Sequence, residues 1–121
     1  MPLILIIDDS PTELHVMQRA LERGGFQTAV AADGAEGLRL ARSMHPDLIF
    51  MDVVMPGLNG YQATRALAAD PDTRGIPVVM VSSKGQETDR IWGLRQGAVD
   101  YLVKPVSPDQ LVRKAQSALA A

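Results

Sequence analysis

Asp47-Leu48-Ile49-Phe50-Met51-Asp52-Val53-Val54-Met55-Pro56-Gly57-Leu58-Asn59-Gly60 is an apolar run that stops at a carboxylate and then turns into the start of a helix. The run ending at Met51 is nearly continuous in hydrophobicity rather than alternating, which suits a strand covered on both faces. Pro56 and Gly57 mark a turn, and Asn59 is a cap for a helix running through Ala69. The same unit recurs outward in both directions. Apolar runs stand at Leu3 to Ile7, Gln27 to Ala32, Pro77 to Val81 and Tyr101 to Val103, each followed by a stretch of helical spacing.

The helices have readable ends. Ser10-Pro11-Thr12-Glu13 offers an N-cap, a proline at the first helical position and a capping-box glutamate, and Gly24-Gly25 supplies the stop. Asp33 and Glu36 open a second helix that ends before Pro46, and a fourth runs roughly from Gln86 to Gln96 and stops at Gly97. Ser107-Pro108-Asp109-Gln110 starts a last helix whose Leu111, Val112, Ala115 and Leu119 share one face. Strict βα alternation implies a parallel sheet with helices on both faces and right-handed crossovers.

The chain has 121 residues, a length that fits one domain over 1–121, with no attached output domain and signalling by protein contact. Apolar residues at 46%, charged residues at 21% and a net charge of -2 are ordinary for a globular protein and leave no electrostatic footprint for nucleic acid. The absence of cysteine excludes a disulfide framework, a thiolate nucleophile and a cysteine-ligated zinc. Leu3 to Ile7 is too short to span a bilayer and lacks the flanks of a signal peptide, so the expectation is a cytoplasmic protein that inserts in no membrane.

The polar residues that interrupt the apolar pattern fall where strands end. Asp8 and Asp9 close the first strand, Asp52 the third, Ser82 the fourth and Lys104 the fifth. Doubly wound sheets bind ligands outside the carboxyl ends of their strands, where strand order reverses. In a 2-1-3-4-5 order the first and third strands are neighbours, so Asp8, Asp9 and Asp52 converge there. Three gathered carboxylates repel one another and call for a cation, and an all-oxygen site with room for waters and a phosphoryl group suits Mg²⁺. Lys104 adds an ammonium and Ser82 a hydroxyl, a set that matches phosphoryl transfer to the Asp52 carboxylate.

Ile7-Asp8-Asp9-Ser10, Met51 through Gly60, Val81-Ser82-Ser83 and Tyr101-Leu102-Val103-Lys104-Pro105 together resemble the CheY-like receiver domains of two-component response regulators, over essentially the whole chain. That resemblance implies a flavodoxin-like (βα)5 three-layer sandwich with a five-stranded parallel sheet of order 2-1-3-4-5. It implies that Asp52 accepts a phosphoryl group from a chemotaxis-type sensor histidine kinase. Asp9 and Asp52 would bind Mg²⁺ directly, Asp8 through a water, and Val54 through its backbone carbonyl. Ser82 and Lys104 would bond phosphoryl oxygens, Tyr101 would swing inward with activation, and Lys104–Pro105 would be cis.

More narrowly, Asp8 through Glu13, Val54 through Gly60 and Gln96-Gly97-Ala98 resemble the single-domain regulators of chemosensory systems that control type IV pili and twitching motility, of the PilH kind. Val54 and Lys84 stand where the flagellar chemotaxis regulator has Asn and Glu, so its phosphate lifetime does not carry over. Such a protein catalyses only its own Mg-dependent phosphorylation and dephosphorylation and is not a conventional enzyme. It would signal to a downstream protein target, or drain its kinase as a phosphate sink, or act as a phosphorylation-independent scaffold. A flavin-binding module is disfavoured because Asp8-Asp9 would repel a flavin phosphate.

Ser82 and Ser83 compete for the pocket, and the resemblance favours Ser82. Tyr101 is expected half-buried on an edge strand. Trp92, one position off the face of the fourth helix expected to be buried beside Ile91 and Leu94, suits either partner contact or peripheral packing. His15 and His45 form no metal pair and read as surface or helix-packing residues.

Overall fold

Among residues 1–120, which the computed structural model describes, five strands alternate with five helices: β1 (Leu3–Ile7), α1 (Pro11–Arg23), β2 (Gln27–Ala31), α2 (Gly34–Met44), β3 (Leu48–Met51), α3 (Gly60–Ala69), β4 (Val78–Ser82), α4 (Glu87–Gln96), β5 (Asp100–Val103) and α5 (Pro108–Ala120). The strands form one parallel sheet in the order β2-β1-β3-β4-β5. The expected (βα)5 architecture and strand order are therefore present.

Side chains of a strand point alternately to the two faces, and each face has its own core. Leu5, Ile7, Ile49, Met51, Val78 and Met80 pack with Ala63 and Leu67 of α3 and with Ala41 of α2. Ile4, Ile6, Leu48, Phe50, Val79 and Val81 pack with Met17 and Leu21 of α1 and with Leu111 and Ala115 of α5. Burial on both sides explains why the three central strands read as unbroken apolar runs. No helix among the described residues is long and apolar enough to cross a membrane.

The strand limits differ from the sequence reading by one residue at several ends. Asp47 stays outside β3, with its carboxylate accepting the Leu3 N–H at 2.8 Å. Pro77 has no N–H to give and precedes β4. Ser82 lies inside β4 because its carbonyl accepts the Lys104 N–H at 2.8 Å, and Asp100 joins β5 opposite Val79.

The caps behave largely as the sequence suggests. Asp33 accepts the Glu36 N–H at 2.8 Å, while Asn59 with Gln62 and Ser107 with Gln110 form reciprocal pairs. At α1 only half of the expected box is seen: Ser10 accepts from Glu13 at 3.3 Å, and the Ser10 N–H is bound by Asp8 at 2.9 Å instead. His45, exposed, ends α2 in the left-handed region at φ 48° ahead of Pro46.

Helix α4 departs most from expectation. Ile91, placed beside the buried face, is 42% exposed, and Gly93 is the one buried residue of the helix. A Cβ at Gly93 would stand 2.7 Å from Met80 Sδ and 3.1 Å from the Tyr101 ring, so the missing side chain is what lets α4 approach the sheet. An apolar stripe does not hold this helix; close backbone approach and polar contacts do.

Candidate functional site

Parallel pairing of β1 with β3 places Ile7 opposite Met51, so the next residues, Asp8 and Asp52, emerge side by side at the carboxyl end of the sheet. Their backbones are held there: the Asp52 N–H donates to Ile7 O at 2.9 Å, and the Asp8 N–H to Ala31 O at 3.1 Å. One carboxylate oxygen from each of Asp8, Asp9 and Asp52 lies within 4.8 Å of the others. Asp8 and Asp52 are buried, whereas Asp9 is exposed at the rim.

Lys104, just past β5, reaches this cluster across the end of β4. Its Nζ is 3.0 Å from Asp8 Oδ2 and 3.6 Å from Asp52 Oδ1. Burial works against its ammonium, yet the Asp8 hydrogen bond and the charges of Asp52 and Asp8 outweigh that and raise its pKa. The Lys104–Pro105 bond is cis.

The Asp52 carboxyl is pushed up to about 6 by burial first and then by Asp8, against the pull of Lys104 and of the Val53 N–H. That N–H donates to Asp52 Oδ1 at 2.9 Å. One ammonium is thus set against a cluster of three carboxylates, and the unbalanced negative charge disfavours ionisation of Asp52 at the end of β3. An all-oxygen donor set carrying unbalanced negative charge fits a hard divalent cation.

Gly60 closes the floor. Its N–H donates to Val53 O at 2.8 Å, and a Cβ there would overlap the Asp52 carbonyl oxygen and stand 2.8 Å from Val53 Cα. The first turn of α3 therefore rests directly on the Asp52–Val53 backbone.

Ser82 is fully buried at the end of β4, between β3 and β5, while Ser83 is exposed. The Ser82 Oγ accepts the Lys84 N–H at 3.2 Å. Tyr101, expected half-buried, is only 6% exposed, and its hydroxyl donates to the Lys84 carbonyl at 2.7 Å. Its ring packs beneath α4, where Gly93 makes room. Val54 lies two residues past Asp52 in the loop and is 59% exposed, and Trp92 stands 50% exposed on α4.

Two residues that sequence reasoning missed belong to this neighbourhood. Tyr61, in the first turn of α3, donates its hydroxyl to the Asp89 carbonyl at 3.2 Å, and Asp89 Oδ2 accepts the Gln86 N–H at 3.2 Å. A Gln-to-Asp spacing is a weak helix-start signal, and nothing in the chain order pairs Tyr61 with it. Elsewhere, an open depression runs between α1 and α5, past His15, Arg19, Arg23 and Arg113, and is separate from the carboxylate cluster.

Comparison with known proteins is consistent with this geometry. The model of the response regulator receiver domain family matches residues 4–116. Protein PilH of Pseudomonas aeruginosa is 52% identical over 117 residues, covering 97% of each chain. The structure of chemotaxis protein CheY4 of Vibrio cholerae superposes with a TM-score of 0.93 at 29% identity, over 98% of this chain and 99% of that one. The receiver domain of sensor histidine kinase PA1611 from Pseudomonas aeruginosa superposes with a TM-score of 0.92 at 32% identity, over 99% and 98% of the two chains. Its structure has a magnesium ion coordinated in the active site cleft.

Proposed function

This chain belongs to the response regulator receiver domain family, and from that premise we propose that it is a response regulator receiver whose Asp52 accepts a phosphoryl group from the phosphohistidine of a sensor histidine kinase. The observation that carries this reading is the buried Asp52 carboxylate at the end of β3, crowded by Asp8 and Asp9 and reached by Lys104 at 3.6 Å.

In the proposed step an Asp52 oxygen attacks phosphorus, the phosphorus–nitrogen bond to the histidine breaks, and the imidazole leaves with the bonding pair and takes up a proton. Asp52 then carries an acyl phosphate. Lys104, already drawn to Asp8 and Asp52, pairs with a phosphoryl oxygen, and the Ser82 hydroxyl donates to another. Asp8, Asp9, Asp52 and the Val54 carbonyl would hold Mg²⁺, which when bound offsets the charge that gathers on the phosphoryl oxygens. Attack of water on phosphorus then breaks the phosphorus–oxygen bond to Asp52, releases inorganic phosphate and regenerates the carboxylate, so the chain would process only its own phosphoryl group.

Output passes to a protein target through the face of α4, β5 and α5, where Trp92 and Tyr101 reside, in the cytoplasm. The 52% identity to PilH favours a chemotaxis-type kinase and a role in pilus-based motility. Intact mass after incubation with acetyl phosphate tests the site. A gain of one phosphoryl group is expected that needs both Mg²⁺ and Asp52 and is absent from Asp52→Asn; a parent protein that gains nothing would overturn the reading.

A further inference from the structure

We propose that Tyr61 is a positioning residue through which the Asp52 segment sets the place of α4 and holds Tyr101 inward. The argument starts from how poorly α4 is fastened. Its one buried residue is a glycine, so it has almost no apolar anchor, and an element of that kind is placed by whatever polar contacts it makes. Those contacts gather at its first turn.

Tyr61 supplies the connection to the rest of the site. Gly60, its neighbour, is bound to Val53 and packed on the Asp52 carbonyl, so the start of α3 moves with the Asp52 segment. From that platform the Tyr61 hydroxyl donates its single proton to the Asp89 carbonyl at 3.2 Å, with Asp89 Oδ1 at 3.5 Å. Burial, the neighbouring Tyr101 hydroxyl and Asp89 all push the Tyr61 hydroxyl pKa up, so it remains a donor across the physiological range.

Asp89 in turn holds the loop ahead of α4 through the Gln86 N–H. That loop contains Lys84, whose carbonyl accepts from Tyr101 and whose N–H is bound by Ser82. The Lys84 ammonium also lies 4.0 Å from Asp89 Oδ1, too long and too exposed a pair to weigh much. A path therefore runs from Asp52 through Gly60, Tyr61 and Asp89 to Gln86, and back along the loop to Lys84, where it meets Ser82 and Tyr101. Without the Tyr61 hydroxyl, the first turn of α4 and the Lys84 carbonyl lose their tie to α3, and the inward place of Tyr101 loses its support.

Tyr61→Phe keeps the ring and removes only the hydroxyl, and it leaves Tyr101 as the sole tyrosine. The protein is grown with fluorotyrosine, the parent resonances are assigned with Tyr101→Phe, and exposure of position 101 is read from the fluorine shift between water and heavy water, with no phosphoryl donor present. We expect the inward-to-outward ratio of Tyr101 to fall about five-fold in Tyr61→Phe, the factor that one net hydrogen bond carries. A fluorine resonance with the parent's shift and solvent response would overturn the proposal, even if the melting temperature falls, because that pattern marks a purely structural tyrosine.

A second arm rests on Asp52 being the phosphoryl acceptor. Emission from Trp92, the single tryptophan and a marker on α4, is followed on adding acetyl phosphate with Mg²⁺, alongside intact mass. The phosphorylation-driven change should shrink in Tyr61→Phe relative to the parent, and an equal change counts against the proposal. A parent that gains no mass refutes the acceptor reading alone, since the fluorine arm decides the role of Tyr61 without it.

Discussion

Asp52 responds to pH with a sign opposite to that of an ordinary ion-paired carboxylate. Its folded pKa of about 6 lies above the usual 3.8 because burial, and then Asp8, disfavour the charged form. The folded chain therefore holds that proton more tightly than the unfolded chain does. The associated stability is fully present below about pH 4 and is lost as pH rises through about 6. That rise corresponds to at most about 3 kcal/mol at neutral pH. Asp52→Asn, which is neutral throughout, should melt at a higher temperature than the parent at neutral pH in a chelator, with the gap closing near pH 4; calorimetry across that range checks it, and a parent that melts higher at neutral pH contradicts it. Asp8, Asp9, Asp52 and Lys104 could be singled out from sequence because a charged residue ending an apolar run has a large desolvation cost and needs a reason to be there. Tyr61 and Asp89 carry no such mark, since their relation is a distance between two helices.

Among the elements, α3 is firmly placed at its start, whereas α4 buries only a glycine. Asn59 and Gln62 satisfy each other's backbone donors, and Gly60 brings the helix onto Asp52 and Val53. Gly60→Ala would drive a methyl group into a backbone carbonyl that cannot rotate away, so the loop carrying Asp52 must shift. The expected cost is about 1–3 kcal/mol, as for other overpacked sites, together with slower phosphoryl gain at Asp52; urea denaturation and timed intact mass check the two effects. A variant as stable and as fast as its parent would show that the close approach is dispensable. The starts of α2, α3 and α5 were readable because caps are local chemistry over a few residues. The half-formed box of α1 was not, because Asp8 binds the Ser10 N–H only once the end of β1 has brought it there.

At the scale of the molecule, one sheet serves two cores, and each central strand contributes to both. Phe50 faces α1 and α5, whereas Met51, the next residue, faces α2 and α3. Phe50→Ala and Met51→Ala should each lower the unfolding free energy by about 2–5 kcal/mol, and both should keep a single transition seen alike by circular dichroism and by Trp92 emission. Two separated transitions in either variant would mean that the layers on the two faces unfold independently. The amino-acid sequence by itself determined the βα alternation, the helix ends and the residue types at the ends of the strands. Hydrophobic periodicity, capping and desolvation cost are properties of neighbours along the chain. Only the tertiary structure decided that Lys104 bonds Asp8 at 3.0 Å, that Tyr101 lies buried beneath a glycine of α4, and that Tyr61 joins α3 to α4. Each of these joins residues on different elements, and packing alone sets the distance between them.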